Sequence, residues 1–307
     1  MSVKIQTVTK ALPPYTRTTA EILPFIDTWL NGQEERFIRK VKKIFENAGV
    51  DNRYSIMGPE EVFTKTSFEE KNNIYMREAI VLGRTCLQSA LDKAGLKGTD
   101  IDFIITVSCT GIMIPSLDAY LINELQLKQD IVRLPVTEMG CAAGVSGIIY
   151  AKKMLEANPG KRAALIAIES PTATFQLDDL SMANIVSAAI FGDGAACVIL
   201  SSYPEDPGPE IIAGEMYHFY DADYLMGFHL SNTGLKMVLD IEVPEKIASH
   251  FGDMGHPFLA KNNEEIHIVD KHTESFNVPH EKEVAEEALD AHPDIDAIVT
   301  LIDRKRV

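Results

Sequence analysis

One cysteine stands where a predicted strand meets a predicted helix. Cys141 follows the β-branched segment 130–136 and precedes an apolar helical pattern over 145–155. Unpaired backbone N–H groups at a helix N-terminus stabilise a thiolate, so this placement predicts a nucleophile. The alternative is an inert thiol packed in the core, which is the common state of a free cysteine. The neighbouring residues are small and would leave the sulfur accessible: Gly140, Ala142, Ala143 and Gly144.

The elements that must position this cysteine alternate along the chain. Apolar runs predict buried strands at 102–109, 130–136 and 162–169, after a first strand at 3–8. Amphipathic patterns predict helices between them, the longest over 72–94 with Gly95 as its terminator. This alternation is typical of βαβ units, so we expect a largely parallel sheet. In the helix over 145–155 the spacing predicts that Val145, Ile148, Ile149 and Leu155 are buried.

A predicted helix over 34–48 carries a basic face in an otherwise acidic chain. Its apolar side consists of Phe37, Val41, Ile44 and Phe45. Its basic side consists of Arg36, Arg39, Lys40, Lys42 and Lys43. One interpretation is a solvated helix face, and the other is a rim that attracts phosphates together with Arg53.

Composition excludes several classes of function. The 307 residues carry a formal net charge of −16, which disfavours nucleic acid or an anionic membrane as the main partner. The four cysteines are widely spaced without a CxxC pair, which favours reduced thiols, and we predict no metal site. No N-terminal leader pattern and no run of membrane-spanning length occur, so we expect a soluble, cytoplasmic protein.

Four motifs in order resemble one family. They are Ser108-Cys109-Thr110-Gly111, then Met139 to Gly144, then Thr174-Phe175, then Phe191-Gly192-Asp193-Gly194-Ala195-Ala196. Their order and spacing are similar to those of the type III polyketide synthases, the chalcone-synthase-like branch of the thiolase superfamily. The segments 227–231 and 243–244 look like the start of that family's second half, so similarity extends over about 3–262.

The resemblance implies an α/β, thiolase-like fold made of two pseudo-duplicated βαβαβαββ halves in layers, with the second half incomplete. We place the halves at 1–202 and 203–307. It also implies a homodimer. The C-terminal region departs from the family pattern, which suggests a truncated, frameshifted or divergent terminus.

The resemblance further implies a reaction. Cys141 would take an acyl group from an acyl-CoA, and malonyl-CoA would lose carbon dioxide and condense with it by Claisen chemistry. The product would be a polyketide of the pyrone, resorcinol or chalcone type. CoA thioesters would be the substrates, and no cofactor is expected. Sulfur suits this role because it is both a good nucleophile and a good leaving group from a thioester.

Further site residues are carried over from the family at matching positions. Thr174 would line the cavity, and Phe191 would stand between the CoA tunnel and that cavity. Met237 falls where relatives often have a second gatekeeping phenylalanine. Ile114 would reach across the dimer interface into the partner's cavity.

The family also needs a histidine and an asparagine in its second half. His272 is our candidate for the histidine, since it follows a strand pattern and precedes Thr273, and His280 is the other candidate. No Gly-Asn-Met-Ser segment supplies the asparagine.

Two other functions stay open. One is a condensing enzyme similar to ketoacyl-ACP synthase III, which uses an acyl carrier protein. The other is a non-catalytic thiolase-like subunit, because the histidine and asparagine partners are not clearly present.

Overall fold

The computed structural model describes residues 2–64 and 67–262. His272, His280 and the segment from 263 onward therefore lie outside the described residues. Within them, no helix combines the length and apolar character needed to cross a membrane.

The described elements alternate between strand and helix over the first two thirds of the chain. The strands β1 to β9 are Lys4–Ala11, Tyr15–Thr18, Asn52–Ser55, Phe103–Val107, Val132–Val136, Arg162–Glu169, Gly194–Ser201, Met226–Ser231 and Gly234–Leu239. The helices α1 to α8 are Thr19–Trp29, Glu35–Glu46, Pro59–Val62, Phe68–Ala94, Leu117–Glu124, Ala143–Ala157, Met182–Ile190 and Val243–Lys261.

A five-stranded sheet organises the fold, in the order β1-β7-β6-β4-β5. β4 pairs in parallel with both β5 and β6, whereas β7 is antiparallel to β6 and β1. Two separate ribbons pair β2 with β3 and β8 with β9. The parallel pairing of β5, β4 and β6 confirms the βαβ arrangement predicted from the sequence. The sheet is mixed rather than largely parallel, since two of its four strand pairings are antiparallel.

Helices cover both faces of this sheet. Ile104 of β4 packs in one core cluster with α4, while Phe103 and Ile105 pack in another with α6. Successive side chains of a strand point to opposite faces, so α4 and α6 lie on opposite sides. This is why the residues of β4 form one continuous apolar run.

The long helix ends where the sequence predicts. Gly95 follows α4 in the left-handed conformation, with φ of +67°. Its N–H donates to the carbonyls of the last turn, at Leu91 and Asp92. Glycine adopts this conformation without a Cβ penalty, so it terminates the helix cleanly.

Two burial predictions are wrong. The segment 130–136 contains β5, which is an edge strand rather than a buried one, and Val132 keeps 49% of its surface exposed. Val145 is 65% exposed instead of facing the core, although Ile149 and Leu155 of the same helix are buried. Val132 is exposed because β5 is the last strand of the described sheet.

The chain divides into two compact units. Residues 1–214 with 227–238 form the first, which contains the large sheet. Residues 215–226 with the chain from 239 onward form the second. In its described part, the second unit consists of α8 and a loop in which the hydroxyl of Tyr224 donates to Glu242 at 2.8 Å. The predicted halves at 1–202 and 203–307 stay a prediction.

Candidate active site

A tight turn places Cys141 at the N-terminus of α6. A 3-10 turn, Gly140–Ala142, runs directly into the helix. Gly140 has φ of +54°, a conformation that strains residues with side chains. The glycine therefore lets the chain turn from β5 into α6, and Cys141 is left exposed on the turn.

The carboxyl ends of the three parallel strands bring a carboxylate and two thiols to one edge of the sheet. Cys141 follows β5, Cys109 follows β4, and Glu169 ends β6. The Glu169 carboxylate accepts hydrogen bonds from the backbone N–H of Cys109 at 3.0 Å and from the Thr110 hydroxyl at 2.7 Å. Thr110 in turn accepts a hydrogen bond from the Ser170 N–H at 2.7 Å.

The surroundings described here favour the thiol form of Cys141. Although Cys141 is exposed as a residue, protein atoms around its sulfur partly desolvate it and raise its pKa. The Glu169 carboxylate raises this pKa further, while the Cys141 N–H lowers it by less. That Cys141 is a nucleophile stays a prediction, and in these surroundings its thiol needs further activation. A cation or base beside the sulfur would stabilise a thiolate. His272, the predicted base, lies outside the described residues.

Four of the predicted substrate-binding residues line one pocket. Arg53 comes from β3, Thr174 from the loop after β6, Phe191 from the end of α7, and Met237 from β9. Cys141 does not belong to the wall of this pocket, but Pro171 does, two residues after Glu169. The chain at the end of β6 therefore contributes Glu169 to the group that includes Cys109 and Cys141, and then contributes Pro171 to the pocket wall.

A buried carboxylate fixes the loop that carries Phe191. Asp193 accepts hydrogen bonds from the backbone N–H of Ile56 at 2.7 Å and of Thr172 at 3.0 Å, and its own N–H donates to Tyr54 O at 2.9 Å. Burial raises the pKa of Asp193 to about 6. Asp193 therefore holds its own loop by hydrogen bonds to the segment of Tyr54 and Ile56 and to the segment of Thr172.

Arg53 does not lie on an exposed rim. It is only 7% exposed, and its Nε and Nη2 atoms donate to Ala189 O at 2.9 and 2.5 Å. Nη1 donates to the Thr19 hydroxyl at 2.8 Å, and the Phe45 ring lies 5.3 Å from the guanidinium carbon. The phosphate-rim expectation for Arg53 is corrected accordingly, since this side chain is part of the pocket wall.

Ile114 lies apart from the pocket. It precedes Pro115 and is 88% exposed, which is unusual for isoleucine. This position leaves it accessible to another chain.

A comparison with family models decides the family. Residues 7–204, more than half of the chain, match the N-terminal domain of chalcone and stilbene synthases. The chain belongs to the chalcone and stilbene synthase family. The resemblance seen in the four motifs is therefore confirmed.

Curated members of the chalcone and stilbene synthase family support this assignment. The chain is 31% identical over 261 residues to a 1,3,6,8-tetrahydroxynaphthalene synthase of Streptomyces peucetius, covering 83% of this chain and 68% of that one. It is 30% identical over 206 residues to a phloroglucinol synthase of Pseudomonas fluorescens, covering 67% of this chain and 59% of the relative. The alignments thus span about three fifths to two thirds of the relatives' lengths.

The fold agrees with that of solved family members. The crystal structure of 1,3,6,8-tetrahydroxynaphthalene synthase from Streptomyces coelicolor, a bacterial type III polyketide synthase, matches with a TM-score of 0.79 and 28% identity. The match covers 84% of this chain and 73% of that chain. The thiolase-like α/β fold expected from the motifs is confirmed.

Sequence reasoning missed Glu169 and undervalued Asp193 in this chalcone and stilbene synthase family member. Glu169 is the one acidic residue that ends the apolar run 162–169, and a charge at the carboxyl end of a buried parallel strand is a usable signal. Asp193 gave only a weak turn signal, since the two N–H groups that it binds are distant in sequence.

Proposed function

We propose that this chain is an acyltransferase that makes a polyketide from CoA thioesters. The Cys141 sulfur attacks the carbonyl of an acyl-CoA, forms an acyl-cysteine thioester and releases CoA as the thiol. Malonyl-CoA loses carbon dioxide to give an enolate, whose carbon attacks the acyl-cysteine carbonyl. A carbon–carbon bond forms and the Cys141 thiolate leaves. No cofactor enters this sequence.

The observation that carries the proposal is the placement of Cys141. It lies exposed at a helix N-terminus, at the edge of the sheet where the chain continues from Glu169 into the pocket that contains Thr174, Phe191 and Met237. In this proposal Thr174 lines the acyl cavity, and Phe191 with Met237 restricts the passage to it. The family membership and the names of the relatives support the same chemistry.

His272 is proposed as the base that accepts the Cys141 proton. The raised pKa of Cys141 in its described surroundings is the reason that a base is required. An ion pair between imidazolium and thiolate would lower that pKa.

The exposed basic side of α2 is proposed to bind the phosphates of CoA. Lys42 is engaged with Asp27 at 2.8 Å, and Arg39 lies 3.8 Å from Glu35. Among the described ion pairs none involves Arg36, Lys40 or Lys43, which leaves three cations on this face available for an anion.

We further propose a homodimer that works in the cytoplasm. The outer edge of β5 has no strand beside it in the described sheet, and Val132, Ile114 and Val145 expose apolar surface. Pairing with a second copy would cover such an edge, as native sheets require. Sedimentation of the wild type and of Val132→Glu tests this, and a monomeric wild type contradicts it. Four free thiols support a reducing compartment.

Acyl transfer to Cys141 can be tested directly. We expect radiolabelled hexanoyl-CoA to label the chain, Cys141→Ala to abolish the label, and Cys86→Ala, a buried cysteine elsewhere in the fold, to retain it. Label that persists in Cys141→Ala would refute the nucleophile assignment. Label without a condensation product after addition of malonyl-CoA would favour the non-catalytic subunit.

A further inference from the structure

Two arginines lie directly opposite each other on the ribbon formed by β2 and β3. Arg17 and Arg53 are partners in the antiparallel register, and both line the pocket. Like charges in this arrangement destabilise a strand pair. Arg53 is moreover buried, and a buried charge without an opposite charge is costly.

The acidic groups that act on this pair, Glu21 on Arg17 and Asp51 on Arg53, lie outside the pocket wall. None of the ion pairs there includes Arg17 or Arg53, and no residue that lines the pocket is acidic. The Arg53 guanidinium contacts neutral groups, namely the Ala189 carbonyl and the Thr19 hydroxyl. Burial lowers the pKa of Arg53, and the charge of Asp51 offsets this only in part.

The rest of the pocket is largely apolar and aromatic. The ring of Trp29 meets that of Phe175 edge to face at 5.1 Å, and Phe63 lies 5.8 Å from Phe175. The cavity has a volume of about 110 Å³, whereas roughly 10–15 Å³ suffices for one water molecule. An occupant of this space would therefore have an apolar body, and the two arginines would face its polar end.

We propose that Arg17 and Arg53 form an oxyanion subsite for an amphiphilic ligand whose apolar part lies against Trp29 and Phe63. Guanidinium groups suit carboxylates and phosphates because they donate two parallel N–H bonds. The identity of the ligand as substrate rests on the proposed function. The oxyanion is then either a phosphate of the CoA carrier or a carboxylate borne by the acyl group.

Binding to this subsite can be measured without catalysis. Trp29 is the only tryptophan of the chain and lines the pocket, so its fluorescence reports occupancy. The probes are coenzyme A, hexanoate and hexan-1-ol, which has the hexanoate chain without the charge. The variants are Arg17→Gln, Arg17→Lys and, as the matched control, Arg84→Gln, an exposed arginine of α4 outside the pocket wall.

We expect Arg17→Gln to weaken binding of coenzyme A or hexanoate by about tenfold, the scale of one hydrogen bond to a charged group. Hexan-1-ol binding should stay unchanged, Arg17→Lys should retain part of the affinity, and Arg84→Gln all of it. A loss confined to coenzyme A identifies the carrier phosphate, and a loss confined to hexanoate identifies the acyl carboxylate.

Two results would overturn the subsite. One is equal affinity of the wild type for hexanoate and hexan-1-ol together with coenzyme A binding that does not respond to Arg17→Gln. The other is an equal loss for all three probes, which would indicate a change of shape. Neither result depends on acylation of Cys141, so failure of the proposed function is seen separately in the labelling experiment.

Discussion

Gly147 allows α6, the helix that follows Cys141, to pack closely against the sheet beneath it. A Cβ atom added at this position would lie 2.6 Å from Cδ1 of Leu165 and 3.0 Å from its Cδ2. Ordinary carbon–carbon contacts are about 3.5–4.0 Å, so in Gly147→Ala either the Leu165 side chain or α6 must shift by close to 1 Å. Leu165 cannot easily move aside, because it is 2% exposed within the core of that face.

The free-energy change combines two opposing terms. Overpacking of a core costs about 1–3 kcal/mol. Replacing glycine by alanine in a helix interior stabilises the folded state by about 1 kcal/mol through helix propensity. Gly147→Ala should therefore lower the free energy of unfolding by as much as about 2 kcal/mol. A displacement near 1 Å at a catalytic group can reduce activity about 100-fold, so acylation of Cys141 should slow more than stability suggests.

Urea unfolding and the rate of Cys141 acylation test this prediction. Gly255→Ala is the matched control, because Gly255 also lies inside a helix but a Cβ there meets no atom within 4 Å. We expect the control to be neutral or stabilised by up to about 1 kcal/mol, with unchanged acylation. If Gly147→Ala gains stability as the control does and is acylated at the same rate, the packing argument is refuted.

Three further predictions concern charged groups. Arg162 donates to Asp206 at 2.8 and 2.9 Å; burial acts to raise the pKa of Asp206, but hydrogen bonds from Arg162 and Ser201 lower it overall. Asp206 therefore stabilises the fold above its unfolded pKa and loses this contribution in acid. Arg162→Ala should lower the free energy of unfolding by about 1–3 kcal/mol in urea melts at neutral pH, but by little at low pH. An unchanged neutral midpoint would contradict this. Asp193 has its pKa raised from 3.8 to about 6, so its contribution falls as pH rises between those values. Asp193→Asn should flatten the dependence of the free energy of unfolding on pH. It also leaves one backbone N–H unsatisfied, which costs about 1–3 kcal/mol. If urea melts of the variant retain the pH dependence, another group causes it. Glu169→Gln should lower the pKa of Cys141 and speed its alkylation by iodoacetamide, measured by mass spectrometry with buried Cys197 as the unreactive reference; an unchanged rate would argue against the influence of Glu169.

Local patterns were sufficient for the elements and for the placement of Cys141. The apolar run of β4, the Gly95 terminator of α4 and the position of Cys141 at the start of α6 are all seen in the structure. Each depends on residues within a few positions of one another. Such short-range preferences are readable because backbone conformation and amphipathic spacing are set locally.

Burial could not be read in the same way. The composition of β5 indicates a strand, but its place at the edge of the sheet depends on the order of strands and not on its own residues. Val145 follows a helical apolar spacing and is nevertheless exposed, because no described element covers that side of α6.

The site shows the same division most clearly. The residue types of Cys141, Thr174, Phe191 and Met237 were evident from the chain and its family resemblance. Only the tertiary structure decided that three of them share one pocket wall, and that desolvation and the Glu169 charge raise the pKa of Cys141. Electrostatics and cavity shape depend on groups that are distant in sequence, and these meet only when the sheet and its ribbons have formed.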